Sequence, residues 1–575
     1  MDHHLRLSGL FRLLAAAIAL AVSVPLASDA QDAASQRRRP EPTGSDAYYL
    51  PQGWDRESTE QWYHVSQGTV FMPVEWFGAL QQASGTAPFA APDHLARMGF
   101  LPDPAGPRNR LGLPVGFAVR SLDFPDNDKF RLHYQFWKGQ WVGFTCAACH
   151  TGQINFNGQR IRIEGGPAHL DIERFGEELA AALAATATIE PRFREFAAKV
   201  RAYGTDVTDD DLRQKLTLFL QDQAARNSVS AAGALAASDE PTRAGLGRLD
   251  AIHRGGNILL SAPLLEVRNY VPTTAPVRYP MLWDTPYFDW VLYNASIRQP
   301  MARNVIEDLG VGAPIDPETF LQGTAKHAVL MNNLVEVHRT LKQLESPQWP
   351  EDILGKIDRP LADRGRTIFE QQCASCHQPI DRGTHAAGSG TNPGPVTVTI
   401  DTVGLEEIGT DPRQAKLFAE RMINLERIGG PAQIQYFKAA ELLAGRVVDQ
   451  WAKAAAENGY LEQEVDSGRA NEFRGPQAYR ARPLNGFWAA PPYLHNGSVP
   501  SMDDLLKPAS RRPRIFYVGS WEYDPRRVGL VVGSPFEASF MFDTRLPGNS
   551  NAGHEYGTNL SDDDHQALLE YMQTL

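Results

Sequence analysis

The sequence predicts a mainly α protein of two principal units, joined by long loops and carrying few short strands. Three observations predict it. Apolar residues recur at helical spacing in several stretches. The 575 residues include 41 Pro and 48 Gly, which suits long irregular connections. All four cysteines fall into two copies of one short motif, far apart in the chain. Length alone suggests about three structural units, and 42% hydrophobic with 22% charged residues excludes a mainly disordered chain. A net charge of −12 argues against nucleic acid as a partner, because phosphate binding needs a basic face.

The elements follow in chain order. Residues 1–30 read as a signal peptide: Arg6 and Arg12 precede an apolar run from Leu13 to Leu26, and Ser28 and Ala30 suit cleavage after Ala30. That run is shorter than the roughly 20 residues of a spanning helix, and no later stretch is long enough, so no membrane span is expected after cleavage. The implied location is the periplasm or the exterior. Residues 31–46 lack hydrophobic periodicity and read as a flexible tether. Aromatic residues gather over 54–80 (Trp54, Trp62, Tyr63, Phe71, Trp76, Phe77). Helices are expected from Asp171, a capping residue, to about Ala187, then over Pro191–Tyr203, Asp209–Gln223 and Ala325–Leu344. Ile161–Ile163 and Val396–Ile400 read as small strands. Leu361–Gln372 suits a short amphipathic helix, and Ser561 with the acidic residues after it suits the start of a terminal helix.

The cysteine motifs are Cys146-Ala147-Ala148-Cys149-His150 and Cys373-Ala374-Ser375-Cys376-His377. Each is C-x-x-C-H, the attachment motif for c-type haem. The two thiols form thioethers to the haem vinyl groups, and the adjacent histidine becomes the proximal iron ligand. A Cys₄ zinc site would not require a histidine after each second cysteine. A thioredoxin-like site needs no paired histidine, and structural disulfides would not either. Two covalently bound haem c groups are therefore expected, held by Cys146, Cys149 and His150, and by Cys373, Cys376 and His377. Their separation in the chain gives each haem its own cytochrome-c-like domain: an N-terminal haem domain with insertions over 47–345, and a C-terminal cytochrome c domain over 346–575.

Function depends on what faces each iron opposite its proximal histidine. A second His or Met makes an electron-transfer haem, whereas an open side admits peroxide or O₂. His554, in a Gly- and Asn-rich loop, is one candidate ligand. His495, between Pro and Gly residues, is another, as a ligand, a hydrogen-bonding group or a packed side chain. The segment Tyr279–Asn304 is dense in aromatics, including Trp283, Tyr287, Phe288, Trp290 and Tyr293. Trp283 and Trp290 are candidates to relay electrons, and Arg278, Arg298 and Arg303 to pair with haem propionates.

Four further strings sharpen this: Phe144–Ile154, Gly245–Ala251, Arg482–Gly486 running into Tyr493–Pro500, and Gly553–Gly557. With the haem motifs they make the chain resemble the bacterial dihaem cytochrome c peroxidase and MauG superfamily, in its rubber-oxygenase-like branch. The resemblance implies two facing haem domains. It implies one haem held by His377 and His554, and another, on His150, open to the oxidant. Some relatives hold a calcium ion between the domains, and the sequence leaves open whether this chain does. The activity that the resemblance implies is that of a peroxidase-like oxidoreductase fed by an electron-donor protein or small reductant. The alternatives are an oxygenase acting on an organic substrate with O₂, and a non-enzymatic electron carrier whose second iron ligands would be His554 and one of His495, His253 or a Met.

Overall fold

A computed structural model describes residues 47–122, 137, 139–316, 318–323, 325–380, 398–457 and 469–575. The expected signal peptide and tether, and the start of the expected strand at Val396, lie outside these residues.

The described residues are about 41% helical and 14% strand, so the expectation of a mainly α protein is corrected to a mixed fold. The strands are short but form two three-stranded sheets. In one, Gln159–Glu164 is central, parallel to Tyr48–Tyr49 and antiparallel to Thr151–Phe156. In the other, Gln140–Phe144 lies antiparallel to both Met72–Pro73 and Phe117–Ser121. A two-residue turn, Asn157-Gly158, with φ of 49° and 80°, closes the hairpin Thr151–Phe156/Gln159–Glu164. Asn-Gly suits it because both central residues must enter the left-handed region.

These sheets place the first cysteine motif. It forms a 3₁₀ turn, Cys146–Ala148, between the strands Gln140–Phe144 and Thr151–Phe156, with no helix leading in. The second motif follows the helix Arg359–Gln372 directly. This helix starts at Asp358, whose side chain accepts from the Leu361 N–H, and has Pro360 in its first turn. It crosses the terminal helix Asp562–Met572, which Ser561 caps through the Asp564 N–H. The crossing is close because position 365 is glycine: a Cβ there would lie 1.9 Å from the Ala567 carbonyl oxygen and 2.8 Å from Tyr571 Cβ.

The other expected helices are present with shifted ends. Ile172–Thr188 is capped by the Asp171 carboxylate, which accepts from the Arg174 N–H at 2.9 Å, and Glu190–Ala202 follows. Asp209–Ala236 runs well past Gln223, because the Ala-rich sequence beyond it contains no proline to stop it. Met331–Lys342 is shorter than expected; Lys326–His327 pairs instead as a strand with Ile315–Asp316.

Two of the three largest buried clusters draw on residues from both sides of 345/346, and the third, from Val70 to Tyr279, lies wholly before it. One buried cluster combines Trp62, Ile161, Trp283 and Leu341 with Phe369, Trp488, Tyr523 and Leu568. Another joins Met301, Val305 and Leu334 to Phe418, Leu443 and Phe473.

Candidate functional site: two histidine-bearing cavities

Each C-x-x-C-H motif borders a cavity, and the two cavities are of similar size. The first is walled by Cys146, Cys149 and His150 with Leu249, Ile252, Ile306 and Val311 from before residue 345, and Phe418, Tyr436 and Phe473 from after it. No disulfide joins any two of the four cysteines.

His150 Nδ1 lies 2.8 Å from the Pro280 carbonyl oxygen. A carbonyl only accepts, so Nδ1 carries the proton and Nε2 keeps its lone pair. Burial lowers the imidazole to about 4, so the ring is neutral at pH 7. His377 repeats the arrangement, with Nδ1 2.8 Å from the Arg482 carbonyl oxygen. Arg482 is itself fixed: its guanidinium donates to the Met281 and Trp283 carbonyls at 2.9 and 2.8 Å. An imidazole whose outer N–H is held by a carbonyl presents a ligating nitrogen of fixed direction.

The two cavities differ on the side away from these histidines. In the second, the His554 ring centre lies 6.2 Å from that of His377, with the planes at 44°. Two imidazoles flanking one metal at about 2.0–2.1 Å would have centres about 6 Å apart. Local backbone brings His554 there. Gly553 and His554 take φ of 73° and 49°, and the His554 N–H donates to the Ile408 carbonyl at 2.8 Å. A Cβ on Gly553 would sit 2.2–2.4 Å from backbone atoms of Ile408, Gly409 and Thr410, so the loop needs glycine. His554 Nδ1 is buried without a hydrogen-bond partner, and burial lowers the ring to about 3.

Among the described residues lining the first cavity there is no second His and no Met. Glu307 and Asp308 stand there instead. Burial raises the Glu307 carboxyl and holds Asp308 well above the usual carboxylate range, and neither Asp308 oxygen has a hydrogen-bond partner. The histidines considered as a second ligand for this side lie elsewhere. His495 lines the second cavity, stacked on Tyr479 at 4.1 Å, and His253 is buried in a 2.7 Å hydrogen bond with Asp250.

Arg278 and Tyr293 line both cavities and form the partition between them. The Tyr293 hydroxyl donates to the Arg278 carbonyl at 3.2 Å. Trp283 and Trp290 line neither cavity. Trp283 is fully buried with its indole N–H on the Asn485 carbonyl, and Trp290 lies under the Arg474 guanidinium at 3.6 Å. Among the described residues no group of three or more His, Cys, Asp or Glu side chains is placed to hold a metal ion such as calcium. No described helix is long and apolar enough to cross a membrane.

Sequence reasoning did not single out the two positioning carbonyls or the Glu307–Asp308 pair. Carbonyls carry no side-chain signal. The acidic pair had one: two adjacent carboxylates inside the apolar helix Pro300–Val311. Tyr293 lay in a segment that was singled out, but nothing in the sequence ranked it above its aromatic neighbours.

Comparison with known proteins fits this geometry. The family model described as "RoxA-like, cytochrome c-like" matches residues 478–517, which supply the Arg482 carbonyl and, through Tyr479, His495 and Leu505, much of the second cavity's wall. A RoxA-like cytochrome c domain makes the chain a haem redox protein, with haem c the implied cofactor. The matching cavities and the carbonyl-fixed histidines fit that group. Over 563 residues, 92% of this chain and 93% of the relative, it is 36% identical to "Uncharacterized protein y4iJ" of Sinorhizobium fredii (strain NBRC 101917 / NGR234). The chain belongs to the family of that protein. A second protein of the same organism, "Uncharacterized protein y4iM", is 26% identical over 285 residues, 48% of this chain and 56% of the relative.

Proposed function

We propose that the protein is an exported dihaem redox enzyme of the peroxidase type. His150 would hold the haem at which peroxide is reduced, and His377 with His554 would hold a second haem that supplies electrons from a donor. One observation carries this reading: a second imidazole faces His377, and no His or Met faces His150 among the described lining residues. Bound haem supplies one-electron chemistry and, where one axial side is free, a place for a small oxidant.

The chain's own residues do the rest. The Pro280 and Arg482 carbonyls hold the proximal rings by their Nδ1 protons and set which nitrogen ligates. Gly553 shapes the loop that delivers His554. Asp308, whose carboxyl burial holds well above the usual carboxylate range, stands with Glu307 beside the first cavity, where reduction of peroxide to water consumes two protons. Tyr293, on both walls, is the aromatic placed between the two sites. His495, flat on Tyr479, is wall rather than ligand in this reading.

A second reading is favoured by the apolar lining of the first cavity (Ile252, Leu292, Ile297, Ile306, Phe418, Phe473) together with the RoxA-like match. It is an oxygenase that takes O₂ and an apolar organic substrate at the same place. Stopped-flow mixing of the reduced protein with peroxide, and separately with O₂, tests both. Rapid oxidation by stoichiometric peroxide with slow reaction toward O₂ supports the peroxidase. A stable O₂ adduct supports the oxygenase, and inertness to both overturns the two together.

A further inference from the structure

The wall around the partition holds a row of arginines, and their guanidinium groups are not equally engaged. Arg278 donates to the Leu494 and Ala490 carbonyls at 3.2 and 2.7 Å. Arg482 is bound to three carbonyls. Arg303 donates to Asn304 and faces Glu307 at 3.6 Å, and Arg298 pairs with Glu472 at 3.1 Å. Arg480 differs. It lines the second cavity, its Nη1 is buried without an acceptor, and its guanidinium lies 5.7 and 6.0 Å from the ring centres of Phe288 and Tyr293. A buried guanidinium missing an acceptor is costly unless an anion completes it.

The direction matters as much as the charge. Cys373 and Cys376 lie at one edge of the cavity, beside the exposed Ser375. Arg480 stands by Tyr293, at the partition. A haem tethered by its vinyl edge carries its two carboxylates on the opposite edge.

We propose that Arg480 is the anchor for a haem carboxylate in the second cavity, so that this haem's carboxylate edge points at the partition shared with the first cavity. The proposal rests on the reading that His377 and His554 hold a haem. Of Arg278, Arg298, Arg303, Arg480 and Arg482, Arg480 is the one with a guanidinium nitrogen buried without an acceptor, which a cofactor carboxylate would supply. An Arg fork suits a carboxylate because two parallel N–H donors meet its two oxygens.

The test uses the holoprotein and Arg480→Gln. Haem content per chain is measured first, on the wild type and on Cys373→Ala/Cys376→Ala. If that double variant loses no haem, the reading beneath the proposal fails, whatever Arg480 does. With that reading intact, Arg480→Gln is expected to keep its haem, since the thioethers hold it. The midpoint potential of the low-spin haem should become more negative, because a positive charge near the iron disfavours the oxidised state. The resonance Raman band of the haem carboxylate bend should shift as well. Arg480→Lys, which keeps the charge but not the fork, should hold the potential near the wild-type value and still move the band. If Arg480→Gln does not load haem, the band in Arg480→Lys decides. An unmoved potential in a loaded Arg480→Gln, or an unmoved band in Arg480→Lys, overturns the assignment.

Discussion

Gly365→Ala is a substitution whose consequence can be worked from the structure. The new Cβ would lie 1.9 Å from the Ala567 carbonyl oxygen and 2.6 Å from its carbon, both main-chain atoms that cannot rotate away. Carbon needs about 3.5 Å or more to its neighbours, so the helices Arg359–Gln372 and Asp562–Met572 must part by about 1.6 Å. Overpacking of this kind costs about 1–3 kcal/mol, here at the upper end because the clash is with backbone. Replacing Gly by Ala inside a helix returns about 1 kcal/mol. The net loss is about 2 kcal/mol, borne by the helix that delivers Cys373. Gly176→Ala is the matched control. Gly176 is exposed within Ile172–Thr188 and nothing lies within 4 Å of an added Cβ, so the same change there should stabilise by about 0.5–1 kcal/mol. Urea titration followed by the absorbance of the second haem measures the first variant, and far-UV circular dichroism the second. A Gly365→Ala protein as stable as wild type would refute the close crossing and the reasoning drawn from it.

Other consequences follow from the same structure. His554→Ala should retain both haems but convert the second from low-spin to high-spin, and donor-driven turnover should fall about tenfold or more, a barrier increase of about 1.4 kcal/mol; visible spectra and steady-state assays read the two effects. Tyr293→Phe removes only the bond to the Arg278 carbonyl, a loss of about 1 kcal/mol, while Tyr293→Leu removes the ring; electron equilibration between the haems, followed by flash reduction, should slow in the leucine variant much more than in the phenylalanine one. Glu178 is held down at about 2, first by its hydrogen bond from His94 and then by Arg174. A carboxyl depressed in the folded state stabilises above its unfolded value of about 4.3 and loses that contribution as pH falls toward 2. Acid unfolding of His94→Ala should therefore differ from wild type above pH 5 and converge with it as pH approaches 2.

What the sequence made legible was chemistry carried by side chains in fixed spacing. The two C-x-x-C-H motifs border two cavities of similar size, and His554 stands opposite His377. The helices announced by a cap, at Asp171 and Ser561, begin where the cap stands. The mixed character of the fold was less visible, because strands of two to six residues give too few alternations for a period to register. The Asn157-Gly158 turn was the available hairpin signal. The shared walls of the cavities were not legible at all. Pairing Tyr293 with both sites requires residues before 345 and after 346 to pack together, and nothing local in either half encodes that. Nor does any residue type reveal that Arg480 has a nitrogen buried without an acceptor while Arg278 and Arg482 donate to nearby carbonyls.

The central claim is that two haems of unlike coordination occupy these cavities. Electron paramagnetic resonance with visible spectra on the oxidised protein, before and after stoichiometric peroxide, tests it most directly. The account predicts one low-spin signal from His377 and His554, one high-spin or weakly ligated signal from the His150 site, and a peroxide-induced change confined to the latter. Two low-spin haems, indifferent to peroxide even after partial reduction, would contradict it and point to an electron carrier.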